Sequence, residues 1–302
     1  MMKVVPVLIT CDIDPTPEAT LKSKQNALDL NFALFEEVGV KATFFTVANI
    51  AELYHYRIRQ LLEHGHEIGC HGLTHRLDEE YSRMPETIQR DYLTKATHKL
   101  EDLTGNPVRS FRGPRVKTSH ITQQILEELN YLVDSSVCSQ RMDFLSSNLI
   151  HLGWIFAPRL PYRPSYTSAY KKGERRNLWV VPVSAFILPF ISSTLYTFGT
   201  LMMKRFFDAL YFETKQNGKP IVYLMHPFEF APHGRLNEKT TLQSLKARGF
   251  YIRRRLKLRI DEQKRLEYTK NLLKYMASFE DVRFITMSSY ILSSQYGQIT
   301  RV

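Results

Sequence analysis

The sequence predicts an α/β protein whose parallel strands curl into a closed or nearly closed barrel with helices outside. Three observations carry this reading. Short apolar runs rich in β-branched and aromatic residues alternate with amphipathic stretches. Seven or eight such strand–helix units fit in the 302 residues, a length that suits a (β/α) barrel. Side chains able to do chemistry stand where the strands end, and a parallel barrel keeps its site at that face. An open doubly wound sheet is the alternative arrangement.

Taken in order, strands are expected at 4–10, 42–47, 67–71, 108–112, 131–134, 178–184, 220–226 and 282–286. The first helix is expected over 18–38, with Leu28, Phe32, Phe35 and Val38 on one face and Gly39 as its C-cap. A second, over 50–63, groups Tyr54, Ile58 and Leu61. A third, over 85–103, starts on a proline and stops before Gly105. Helices over 119–130, 201–216 and 261–279 complete the set. With no internal repeat and no low-complexity linker, one domain over 1–302 is expected. Residues 150–177 and 229–260 break the alternation and read as insertions on the rim.

Composition narrows the class. Apolar residues make up 43% and charged residues 24%, which is ordinary for a globular domain and excludes wholesale disorder or a polytopic membrane protein. Three cysteines make no disulfide framework and point to a reducing compartment. The first ten residues read as a strand and not as a signal peptide, so a cytoplasmic protein is expected. Net charge is +11, and residues 231–302 hold 15 Lys/Arg against 6 Asp/Glu. Seven of the basic residues crowd into 246–259. Such a segment suits anionic lipid or a phosphorylated carrier; it is equally the pattern of a solvated helix face. Nucleic acid is not the expected partner. The 24 residues 180–203 carry no charge, but Pro182, Pro189 and Gly199 interrupt them. They read as a strand and an apolar loop, with Phe186–Ile191 as a rim patch.

The strand ends supply the candidates. They carry Asp12 and Asp14, then His71 and His75, then Arg112 and Arg115, then Asp134, and finally His226. On a helical turn, His71 and His75 would share one face. Two histidines and a carboxylate with open positions make a common catalytic metal site. Cys11 and Cys70 flank these residues and read more simply as small buried strand residues. Aromatic and arginine side chains over 154–179, among them Trp154 and Tyr162, could stack on a sugar or pack as core.

Five ordered segments resemble the NodB-type polysaccharide deacetylases, carbohydrate esterase family four. They are Thr10-Cys11-Asp12-Ile13-Asp14, Lys41-Ala42-Thr43-Phe44-Phe45, Gly65 through His75, Phe111-Arg112-Gly113-Pro114, and Tyr223-Leu224-Met225-His226-Pro227-Phe228-Glu229. The first and last look like the Asp-x-Asp and His-Pro-aromatic-Glu forms of one subgroup. The resemblance implies a deformed barrel of about seven strands. It implies a divalent metal, usually zinc, on Asp14, His71 and His75. Asp12 would be the general base, His226 the general acid, and Arg112 the group that orients Asp12. The Arg115 N–H would help hold an oxyanion, and its side chain could meet an anionic substrate. Asp134 is the candidate acid that tunes the histidine. Gly72 stands where the family often has Ser or Thr, so a loop hydrogen bond is lost or falls to Thr74. The expected reaction is removal of an N-acetyl group from an amino sugar on a polysaccharide, nucleotide or lipid carrier. Hydrolysis of a small cyclic amide, or sugar binding without catalysis, are the alternatives.

Overall fold

The computed structural model describes residues 4–17, 19–141, 152–173, 177–232 and 260–295. Strand β1 (Val5–Ile13) is followed by α1 (Leu21–Val38), β2 (Ala42–Thr46), α2 (Ala48–Ala51), α3 (His55–Glu63) and β3 (Glu67–Cys70). Next come α4 (Glu86–Thr104), β4 (Ser110–Phe111), α5 (His120–Glu128), β5 (Val133–Asp134) and α6 (Leu152–Phe156). A hairpin of β6 (Pro164–Ser165) and β7 (Ser168–Lys172) precedes β8 (Trp179–Val180), α7 (Ser192–Asn217) and β9 (Ile221–Met225). The chain then runs through α8 (Glu262–Ala277), β10 (Val282–Phe284) and α9 (Met287–Gln295).

The strands form one parallel sheet, β9-β1-β2-β3-β4-β5-β8, with β10 paired to the start of β1. The far end curls back. Val183 N–H donates to Val137, and Ser184 N–H donates to the Val222 carbonyl of β9. The result is a deformed (β/α) barrel. Its β4, β5 and β8 ladders are two residues long, so this side is held as much by side chains as by backbone.

Side-chain parity sorts the interior. Successive strand residues face opposite sides. On β1, Val7, Ile9 and Cys11 join the core under the helices, while Leu8 joins the core inside the barrel. On β9, Tyr223 and Met225 face the helices, while Val222 and Leu224 face inward. Continuing each inward register by two residues reaches Thr10, Asp12 and Asp14 on one strand and His226 on the other. The barrel interior is therefore apolar at one end and polar where the strands finish.

Several elements differ from the sequence reading. The helix expected over 50–63 is broken into α2, a 3₁₀ turn at Glu52–Tyr54, and α3. The helix expected over 201–216 is the second part of α7: Gly199, at φ 82° and ψ 172°, is non-helical and separates it from a short helix that begins at Ser192. Glycine takes that angle at no steric cost, so the break falls at Gly199, and the short helix before it lies where composition marks a loop. The rim patch at 186–191 is mostly packed. Phe190 and Ile191 are buried, Phe186 stacks on Phe206, and Ile187 alone is widely exposed, at 68%. Among the described residues, no helix is long and apolar enough to cross a membrane. The basic segment 246–259 and most of the rim insertion 229–260 lie outside the described residues.

His66 gives the fold a built-in acid sensitivity. It is 4% exposed, packed between Phe35 and Phe44, and its Nδ1 accepts the Ala42 N–H at 3.1 Å. Burial first, with Lys41 nearby, pushes the imidazole down to about 4. An unfolded histidine protonates near 6.5. Between these values the unfolded chain binds a proton that the folded chain refuses, so acid destabilises the fold. The full effect is about 3 kcal/mol, lost as pH falls from about 6.5 to 4. Urea midpoints for wild type and His66→Gln should therefore converge over that window. Parallel pH dependence would show that His66 contributes none of it.

Candidate metal and catalytic site

Asp12, near the end of β1, is almost fully buried. Arg112, just after β4, is completely buried and faces it: Nη1 donates to Asp12 Oδ1 at 2.8 Å and to Thr10 Oγ1 at 2.9 Å. Nε and Nη2 donate to the Ser135 carbonyl and hydroxyl at 3.2 and 3.0 Å. The guanidinium lies over the Phe45 ring, 4.3 Å from its centroid. Gly69 leaves room for that ring, since a Cβ there would stand 2.8 Å from Phe45. Burial alone would raise the Asp12 carboxyl. Arg112, then His71 and His226, reverse this and hold it below the ordinary carboxylate value. Asp12 is thus an ionised, immobile acceptor at neutral pH.

His71 Nδ1 donates to the Arg112 carbonyl at 2.6 Å. That bond assigns the proton to Nδ1 and leaves the lone pair on Nε2, which stands 3.9 Å from Asp12 Oδ2. The His71 and His75 ring centroids are 5.2 Å apart, and His75 Nε2 lies 3.9 Å from Asp14 Oδ2. Burial holds both imidazoles below their usual value, with His75 at about 4 despite the pull of Asp14. Both are neutral at pH 7.

The sequence reading placed this histidine pair on a helical turn. The segment is a loop instead, with left-handed φ at Gly72 (79°) and His75 (60°). The loop, not helical rise, sets the spacing of the rings.

These residues fit a divalent cation in chemistry. Neutral imidazole nitrogens and a carboxylate suit zinc, and a ligand histidine whose other nitrogen is bonded to a carbonyl is the usual arrangement. Among the described residues, however, no three His, Cys, Asp or Glu side chains already converge on one point. Within the expected ligand set, His75 Nε2 and Asp14 Oδ2 are 3.9 Å apart.

The remaining candidates divide. His226 follows β9, and its charge bears on Asp12 and His71. Its carboxylate neighbour is Glu229, with Oε1 3.6 Å from Nδ1. Asp134 is not that neighbour. Val133 faces inward, so Asp134 faces the helices, where its carboxylate accepts from Thr118 Oγ1, Gln123 Nε2 and Ser136 N–H at 2.9, 3.0 and 2.9 Å. Its contribution is indirect: it also bonds the Ser136 hydroxyl, which accepts from Gly113 N–H beside Arg112. Arg115 sits at φ 59° in the turn Pro114–Val116. Its guanidinium donates to the carbonyls of Arg76 and Glu79 at 3.2 and 2.6 Å, so it braces the histidine loop.

Trp154 and Tyr162 are core residues, each 2% exposed, and Tyr162 Oη donates to the Ala169 carbonyl. Two rings placed inside the barrel core are not offered to a sugar; Phe156 and Tyr166 are the exposed aromatics of that insertion. Cys11 and Cys70 are buried free thiols whose neighbours in sequence, Asp12 and His71, take the opposite face.

Sequence reasoning gave no role to Thr10, Ser135 or Glu229, although they stand in or beside its motifs, and missed Glu79. Parity on β1 would have found Thr10, two residues before Asp12 on the same face.

Residues 5–133 match the family described as Polysaccharide deacetylase. Over 104 residues the chain is 28% identical to a peptidoglycan deacetylase of Helicobacter pylori, covering 34% of each protein. Over 106 residues it is 29% identical to a peptidoglycan deacetylase-like protein of Gibberella zeae, covering 34% of this chain and 30% of that one. The chain thus spans about a third of the length of these curated relatives.

Its fold is shared with a candidate polysaccharide deacetylase from Mycobacterium smegmatis, at TM-score 0.63 and 17% identity over 98% of this chain and 92% of that one. It is also shared with an allantoinase, at TM-score 0.59 and 17% identity over 95% and 89%. Its N-terminal part is thus similar to the polysaccharide deacetylases, and its fold is one that they share.

Proposed function

We propose that this protein is a metal-dependent N-deacetylase acting on an N-acetylated amino sugar of a polysaccharide or carrier-linked glycan. The observation that carries it is the buried Arg112–Asp12 pair set between His71 and His226. A carboxylate held ionised beside the neutral His71 imidazole is suited to take a proton, and a histidine on the neighbouring strand is suited to give one.

Asp14, His71 and His75 would hold the metal. When bound, a divalent ion polarises a carbonyl and brings the pKa of water from 15.7 to about 7. The chain's own residues do the rest. Asp12 accepts the proton of the attacking water at Oδ2, while its Oδ1 stays bonded to Arg112. Arg112 fixes the carboxylate's direction through Thr10 and Ser135. His226, steadied by Glu229, gives a proton to the departing nitrogen. The N–H of Arg115 is the proposed donor to the developing oxyanion. Each proton transfer of this kind contributes typically ~10²–10⁴-fold.

The test is acetate release from N-acetylated oligosaccharides, before and after chelation. Chelated protein should lose nearly all turnover, and one equivalent of zinc should restore it. Undiminished acetate release from metal-stripped protein would overturn the metal dependence. Hydrolysis of a cyclic amide such as the allantoinase neighbour's name implies, with no acetate from any sugar, would move the reaction to the other class.

A further inference from the structure

The loop that carries His71 and His75 is organised by a single side chain. Glu79 is completely buried. Its Oε1 accepts from Leu73 N–H at 2.7 Å and Tyr81 Oη at 2.8 Å. Its Oε2 accepts from Thr74 N–H, Thr74 Oγ1 and His75 N–H, each at 2.7 Å. Five donors use the roughly four lone-pair positions that a carboxylate offers. Three of them are consecutive backbone N–H groups, which together form an anion-holding concavity. Here that concavity is filled by the chain's own carboxylate.

Two backbone features follow from this contact. His75 at φ 60° is an uncommon conformation for a side chain with a Cβ, and its N–H bond to Glu79 offsets the cost. Gly72, at φ 79°, meets Glu79 even more closely. A Cβ there would lie 2.4 Å from Glu79 Oε1, so only glycine admits the carboxylate. The departure at Gly72 and the buried glutamate seven residues later are two halves of one device. The outer side of the loop is pinned as well. Arg115 Nη2 donates to the Glu79 carbonyl at 2.6 Å, and Ala48 N–H donates to the Gly72 carbonyl at 3.0 Å.

We propose that Glu79 is a positioning residue that holds His71 and His75 at the separation needed for a divalent cation, touching neither imidazole itself. This rests on the metal reading above and adds the element that sets its affinity. Hydrogen-bonding partners behind metal ligands are worth roughly 10–100-fold in affinity. Losing Glu79 should release the N–H groups of residues 73–75, let His75 leave the left-handed region, and change the separation of the two rings, whose centroids are 5.2 Å apart.

The experiment compares wild type with Glu79→Gln, reading zinc affinity by competition with a chromophoric chelator. Far-UV circular dichroism and the thermal midpoint of the metal-free proteins are read alongside. The expected result is wild-type secondary structure with zinc affinity lower by about 10–100-fold. The visible bands of the cobalt-loaded variant should shift, and kcat should return toward wild type at saturating zinc, because Glu79 never contacts substrate. Tyr81→Phe removes one donor without moving the glutamate and should weaken zinc several-fold; it carries the test if Glu79→Gln does not fold. Zinc affinity unchanged in the folded variant, or kcat that stays low at saturating metal, would overturn the proposal and leave the deacetylase reading standing. A wild-type protein that binds no zinc would overturn both.

Discussion

Asp12→Asn is expected to lower kcat for acetate release by ~10²–10⁴-fold, the range lost when a positioned general base is removed. The amide is nearly the same shape, and its oxygen can still accept from Arg112 Nη1. Asp14, His71 and His75 are untouched, so zinc content should be close to one equivalent in both proteins. What the variant lacks is a second oxygen able to take a proton. That oxygen, Oδ2, is the one 3.9 Å from His71 Nε2, on the side of the carboxylate that Arg112 does not cover. KM should move far less than kcat, since the lost interaction exists mainly in the transition state. Metal-loaded, folded Asp12→Asn with near wild-type kcat would transfer the base role to another group, and Asp14 would be the first to examine.

Much of this site is legible in the amino-acid sequence, for a physical reason. A parallel strand that buries one face against helices and the other inside a barrel must alternate two apolar sets. The polar residues that interrupt the inward set near a strand end then mark the site. Thr10 and Asp12 on β1, Asp14 just beyond it, and His226 after Val222 and Leu224, are such interruptions. The same parity separates Asp134 from the site, because Val133 already occupies the inward position. Strand-end reasoning groups Asp134 with the catalytic residues only when parity is left out.

Other features carry no local signal. The histidine loop has neither helical nor strand periodicity, and its shape depends on a glutamate beyond it in sequence. The burial of Trp154 and Tyr162 depends on how the insertion folds back over the barrel, where Tyr162 pairs with Val180 across the sheet edge. Composition describes aromatic loops that contact sugar and aromatic loops that contact core in the same terms. The short helix from Ser192 is similar: its residues read as apolar loop, while Gly199 breaks the helical path as propensity expects.

The largest stability effect is expected at Arg112. Arg112→Met removes the only cation bonded to Asp12 among the described residues, along with the donors to Thr10 and Ser135. A buried carboxylate left without its partner costs about 3–5 kcal/mol, most of it the penalty of an uncompensated charge. Methionine fills much of the volume over Phe45, so cavity formation adds little. The double variant Asp12→Asn/Arg112→Met separates charge from packing. With both charges gone, its midpoint in urea should lie well above that of Arg112→Met alone, because replacing a whole buried pair is often nearly neutral. The coupling should be on the order of 2–3 kcal/mol, within the range for residues in one buried network. Turnover should not follow stability: the double variant should be as inactive as Asp12→Asn. Additive losses in the double variant would mean that Arg112 stabilises the barrel through Ser135 and Phe45 rather than through Asp12. In that case the low pKa of Asp12 would need another source, with His71 and His226 the remaining neighbours that lower it.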